Sequence, residues 1–167
     1  KMIAASAKRI PADVDVLMIV HPKNLSEATL YAIDQFTMDG GRVLAFIDPN
    51  AEADRAQAMR GMPPLPTSSN LGTLLNAWGI DIDTTKSVGD LQLALRVRSQ
   101  QAERVVTSEY PPWINIPQRL QNPNDIVTGK LGNLTFASAG AIQKLDGSST
   151  TMTDLVRTTD SAMLIKN

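Results

Sequence analysis

The sequence predicts an α/β domain built on a mainly parallel sheet with an added β-hairpin. Three observations point there: apolar runs at 14–20 and 43–47 flank an amphipathic helix, a Gly pair closes that helix, and a strictly alternating segment follows at 91–98. Apolar runs without alternation suit strands covered on both faces, as in a parallel sheet flanked by helices.

Taken in order, the run at 14–20 stops at His21-Pro22. Asn24 with Glu27 three positions on reads as a capped helix start, and Leu25, Ala28, Ala32, Ile33 and Phe36 share one face of that helix. Gly40-Gly41 supplies the residue without a Cβ that a left-handed C-terminal cap favours, and 43–47 then reads as the second buried strand. The unit is βαβ. Its crossover is expected to be right-handed, which brings His21 and Asp48 to one edge of the sheet.

Residues 51–60 read as helix and 61–69 as a Pro/Ser-rich surface connector or polyproline-type docking segment. Asn70 caps a short helix whose Leu71, Leu74, Leu75 and Trp78 face the core, Gly79 closes it, and 80–83 alternates as a strand would. At 91–98, Leu91, Leu93, Leu95 and Val97 alternate with polar or small residues, a strand with one buried face. Residues 99–101 turn it into a partner at 103–107, forming the hairpin. Tyr110-Pro111-Pro112-Trp113 reads as a rigid aromatic loop, 134–142 as a late strand and 155–159 as the last.

At 167 residues the chain is long enough for one domain with a real core, so 1–167 is expected to be a single α/β domain. It opens on Lys1-Met2-Ile3 without a recognisable beginning and reads as an excised piece of a longer protein. A hydrophobic content of 43% with 20% charged residues is ordinary for a globular protein. A net charge of −1, with sixteen scattered basic residues, leaves no stripe to follow phosphates and argues against nucleic acid as a partner. The absence of cysteine excludes disulfides, thiolate zinc sites and a cysteine nucleophile. No apolar run approaches the roughly 18 residues of a membrane span.

Catalytic constellations are sparse. Phe136-Ala137-Ser138-Ala139-Gly140 lacks the glycine that a nucleophile elbow needs two residues before its serine. His21 is the sole imidazole, a poor start for a transition-metal set, and a hydrolase using Ser138 with His21 stands as the enzyme-class alternative. The pairs Asp13/Asp15 and Asp81/Asp83 each share a face and read as surface carboxylates, with too few oxygens for a hard cation. No catalytic, cofactor or metal-ligating set is therefore assigned.

The candidate contact residues for a ligand or partner are His21, Lys23, Asp48 and Asn50 at the carboxyl edge of the strands, with Tyr110 and Trp113 in the aromatic loop. His21-Pro22 and Asp48-Pro49 are equally ordinary strand terminators, and aromatic side chains beside prolines often cover a core edge.

Ile10-Pro11-x-Asp13-Val14-Asp15-Val16-Leu17, Pro22-Lys23-x-Leu25-Ser26, Ala32-Ile33-Asp34-Gln35-Phe36, Gly40-Gly41-Arg42-Val43-Leu44 and Asp48-Pro49 together resemble the GldG-type auxiliary component of bacterial ABC transport systems, the gliding-motility-associated family. Asn70-Leu71, Leu74-Leu75, Trp78-Gly79-Ile80 and Leu155-Val156-Arg157-Thr158-Thr159 continue the resemblance over most of the chain. It implies a flavodoxin-like, class I glutamine amidotransferase-like three-layer sandwich. Amidotransferase chemistry needs a cysteine with a histidine partner, and this chain has no cysteine.

The resemblance further implies a non-catalytic extracytoplasmic domain on the periplasmic side of the bacterial inner membrane. Membrane helices outside these residues would hold it beside an ABC permease and its ATPase. The expected function is binding of a partner protein or an extracellular polymer such as a polysaccharide. The alternative is a small-molecule or sugar site in the crevice near His21 and Asp48.

Overall fold

The computed structural model describes residues 1–56, 66–101 and 104–167. Along the chain the elements are β1 (Val16–Val20), α1 (Glu27–Met38), β2 (Arg42–Phe46), α2 (Glu52–Ala56), α3 (Thr73–Ala77), β3 (Ile80–Ile82), β4 (Lys86–Asp90), β5 (Ala94–Gln101), β6 (Arg104–Ile116), β7 (Leu134–Ala137), β8 (Ile142–Lys144) and β9 (Ala162–Lys166), with short 3-10 turns at Gln118–Leu120 and Thr128–Lys130. The chain is mixed α/β with few helices and several small sheets, mostly antiparallel instead of the mainly parallel sheet expected; β1–β2 is the parallel pair among the described residues. Two compact units form, one from Lys1–Thr84 with Ile142–Thr150 and the other from Thr85–Ala141 with Thr151–Asn167.

The first unit contains the expected βαβ element. Ser26, not Asn24, is the N-cap of α1: its hydroxyl accepts from Thr29 N–H at 3.2 Å. Asn24 instead adopts a φ of 49° in the turn leading to the helix. At the other end Gly41 N–H reaches Phe36 O at 2.9 Å and Gly40 N–H reaches Thr37 O at 3.0 Å, the paired bonds of a Schellman close, with Gly40 at a φ of 92°.

Leu17 and Ile33 bury with Ile10, Leu71, Leu74 and Leu75, and Ile19, Val43 and Trp78 pack against them. Trp78 also donates its indole N–H to Asp34 at 2.9 Å. Thus α1 follows its apolar spacing, except that Ala28 lies outside the buried face. In α3, Gly72 and not the expected Asn70 is the N-cap: Asn70 Oδ1 accepts from Gly72 N–H at 3.0 Å in the turn before it, and the buried Leu71 precedes the helix. β3 is present and pairs antiparallel with β8.

One expectation fails in an instructive way. β1 alternates between buried and exposed: Val16 is 53%, Met18 61% and Val20 64% exposed, while Leu17 is buried. An apolar run makes a strand compatible with two covers; only the covering elements decide how many are present, and here the core lies on one side.

The second unit is antiparallel. β5 and β6 form the expected hairpin, with Leu95 and Val97 less exposed than Arg96 and Arg98, but 99–101, expected as its turn, belong to β5 and pair with 104–106. Leu91 does not join that alternation: it sits in the turn before β5 and is 54% exposed, while Leu93 is buried with Ile114 and Ile116.

The 110–113 segment is not a loop but part of β6. Its β5 register jumps from Tyr110 opposite Leu95 to Ile114 opposite Ala94, so 111–113 form a bulge. That is where prolines fit a strand, because they have no N–H for the ladder.

The apolar stretch 134–142 is divided between β7, beside β6, and β8, in the other unit. Ser138, at a φ of 52°, follows β7, and its N–H donates to Pro112 O at 2.8 Å. Residues 155–159 make an isolated bridge, Gln121 with Val156, and the last strand is β9, antiparallel to β4. The expected helix at 51–60 is present as α2 to Ala56; 57–60 and the connector's 61–65 fall outside the described residues.

β4 is held at its end by Asp90, which is 0% exposed. Its carboxylate accepts from Gln92 N–H at 2.9 Å, Leu93 N–H at 3.3 Å, Thr159 N–H at 2.8 Å and the Thr159 hydroxyl at 2.8 Å. Burial alone would push this carboxyl up, but the hydrogen bonds led by those from Thr159 outweigh it and hold it below the ordinary 3.8.

Candidate functional site

Two surfaces of the first unit flank the ends and faces of β1–β2. At the carboxyl edge, His21 leaves β1 at a φ of 48° with its N–H still bonded to Phe46 O at 2.9 Å. Its Nε2 lies 2.9 Å from Asp54 Oδ2 in α2, and Lys23 Nζ donates to that same oxygen and to Pro66 O at 2.7 Å. Because a carboxylate only accepts, Nε2 is the donor; Nδ1 is a buried atom without a partner among the described residues. Lys23 first and His21 second hold the Asp54 carboxyl below its ordinary range.

The Asp48 loop is organised by its own side chain. Asp48 Oδ1 accepts from Asn50 N–H at 2.8 Å, while Asp48 N–H donates to Ser69 Oγ and Ser69 N–H donates to Asp48 O, each at 2.8 Å. Ser69 is fully buried and Asn50 is 7% exposed, so the 61–69 connector is anchored in the interior at Ser69, while Pro66 remains exposed.

The structure therefore brings His21 and Lys23 together through Asp54, and Asp48 and Asn50 together in one turn. Asp54, which spacing arguments passed over, is the joining residue; its only sequence signal was an acid near the start of a helix following Asp48. Much of the polar chemistry here is already spent: Lys23 is bonded twice, and Asp48 caps its own turn.

Tyr110 and Trp113 are in the second unit, their rings meeting edge to face with centroids 5.9 Å apart. Tyr110 is 39% exposed and Trp113 half-buried.

The second surface is the uncovered face of β1–β2. Register places Met18 beside Leu44 and Val20 beside Phe46, with Val16 beside Arg42 at the start. Leu44 and Phe46 are 46% and 52% exposed, so one continuous apolar strip crosses both strands. Solitary exposed apolar residues need no explanation, but aligned pairs on one face of a parallel sheet do.

Among the described residues no cluster of three or more His, Cys, Asp or Glu could hold a metal ion, and no helix is long and apolar enough to cross a membrane. No curated protein and no solved structure matches this chain. A family model described as ABC-type uncharacterized transport system matches residues 1–167, and the chain accordingly belongs to this family of transport auxiliary components.

Proposed function

We propose that this chain is a non-catalytic, extracytoplasmic module of a GldG-type system, docking onto a partner protein of its ABC transporter through the uncovered face of β1–β2. The observation that carries the reading is the paired apolar strip of Met18/Leu44 and Val20/Phe46. Family membership supplies the partner class, a component of the same transport system. The occupant best suited to the strip is an amphipathic helix. Two strands of five residues present a surface roughly 17 Å long and about 10 Å wide, which is the footprint of about three helical turns. Parallel strands are ordinarily covered by helices on both faces, so such a helix would complete the arrangement of a flavodoxin-like layer.

The test is site-specific photocrosslinking from position 18 or 44, with the permease and ATPase components of the same system present in membranes. Crosslinks to a helical segment of one of those components, abolished by Val20→Asp, are the expected result. Crosslinks only to a second copy of this chain, or none above background, would overturn the reading.

A further inference from the structure

The first unit also carries a concavity away from the His21 edge. It lies at the opposite, amino end of β1 and β2, where the segment before β1 crosses α1 and leaves an open cavity of about 950 Å³. Its apolar wall includes Ile10, Ala32 and Phe36, of which Ile10 and Ala32 are buried. Lys8, Arg9 and Arg42 line it from two separate parts of the chain, together with Asp15, Asp39 and Tyr31.

Charge in this cleft is arranged unusually. None of the three cationic side chains has an ion pair or hydrogen bond among the described residues, although Asp15 and Asp39 line the same cavity; Lys1 pairs instead with Asp13, and Lys23 and His21 with Asp54, away from it. Tyr31 is 64% exposed on α1 with its ring beside the opening.

We infer that this cleft binds an acidic saccharide. Each part of the lining matches one part of such a ligand. Guanidinium and ammonium groups recognise a carboxylate, and arginine does so through two parallel hydrogen bonds. Carboxylates only accept, so Asp15 and Asp39 are suited to sugar hydroxyls, which donate. An exposed tyrosine ring offers the apolar face of a pyranose a platform while its hydroxyl stays in water.

A simple inorganic anion would use the cations but leave both acids as repelling neighbours. A neutral sugar would use the acids and the ring but leave three cations idle. The volume lies within the range of small-ligand sites, large enough for two or three sugar rings, and the open mouth lets a longer chain continue beyond it. The cleft meets the docking strip at Arg42, which stands beside Val16, but Met18, Val20, Leu44 and Phe46 do not line it.

The experiment is a ¹⁵N-NMR titration of the 167-residue chain with trigalacturonate, with maltotriose and inorganic phosphate as separate controls. The expected result is saturable shifts at Arg9, Tyr31, Gly40 and Arg42 with trigalacturonate, at least tenfold weaker with maltotriose and phosphate. Arg42→Gln and Tyr31→Ala, both at exposed positions, should each weaken binding about tenfold while the remaining spectrum stays unchanged. Equal response to phosphate, indifference to both substitutions, shifts centred on His21, or no shifts at millimolar ligand would each overturn the assignment.

Discussion

Replacing Asp90 by Asn tests the main polar anchor of the second unit without opening a cavity. Three backbone N–H groups and one hydroxyl converge on this carboxylate, joining the end of β4 to the turn at Gln92 and Leu93 and to Thr159 just before β9. Asn keeps one acceptor oxygen and turns an NH₂ toward the donors that the other oxygen served. With the NH₂ in place of Oδ2, Thr159 N–H loses its acceptor while the hydroxyl keeps Oδ1 at 3.0 Å, and the remaining bonds lose the carboxylate's charge. Hydrogen bonds to charged groups contribute about 1.5–3 kcal/mol, so the loss is about 3 kcal/mol.

Native-state hydrogen exchange reads this directly. The Val88 amide, bonded to Ala139 O at 2.7 Å, should exchange on the order of 100-fold faster in the variant. The folded carboxyl lies below its ordinary value, so its contribution is complete above the unfolded value near 3.8 and fades as pH falls through the folded one. The wild-type advantage should therefore shrink toward pH 3. Exchange at Val88 accelerated by less than fivefold at neutral pH would refute the argument.

Gly129→Ala should destabilise the chain by about 1–3 kcal/mol, because a Cβ there would stand 2.8 Å from Pro123 O and 3.1 Å from Asn122 O, backbone atoms with little freedom to yield. Gly132→Ala, where a Cβ meets nothing within 4 Å, should be neutral or stabilising by up to about 1 kcal/mol, so thermal melts of the two should move apart. The Asp54 carboxyl, observed by ¹³C-NMR, should titrate below the ordinary aspartate range and move up toward it in Lys23→Met; an unchanged midpoint would contradict the ion pair. Trp78→Phe removes the indole donor to Asp34 and should cost about 1 kcal/mol in a urea titration.

What could be read from sequence was what local periodicity controls. α1 and α3 follow apolar residues at helical spacing, and the close at Gly40-Gly41 follows from the need for a positive φ. The β5–β6 hairpin is legible because Leu95 and Val97 alternate with Arg96 and Arg98. β4 was not, since Lys86-Ser87-Val88-Gly89-Asp90 has little strand propensity. It is buried because partners distant in sequence satisfy its polar groups: Ser87 donates to Ser138 O and Asp90 accepts from Thr159. The Tyr110–Trp113 stretch misled because its prolines signal a break in hydrogen bonding, and a bulge inside a long strand breaks it as effectively as a loop.

The candidate site was legible in a similarly partial way. Strand ends marked His21 and Asp48 correctly as neighbours of one sheet edge, but which groups they meet depends on α2 and on Ser69, which no spacing rule connects to them. The apolar strip carries the more consequential lesson. Residues 14–20 have the composition of a strand with two covers, and in the structure the core side receives Leu17 and Ile19 while Met18 and Val20 align with Leu44 and Phe46 on the open side. Polar residues at those four positions would retain the parallel pairing and the core, so apolar side chains there are not required by anything α1 or α3 does. Their alignment in register across two strands is the pattern expected when a surface is completed by another element, and it is this mismatch between composition and cover that makes the face, rather than the self-satisfied polar edge, the stronger argument for docking.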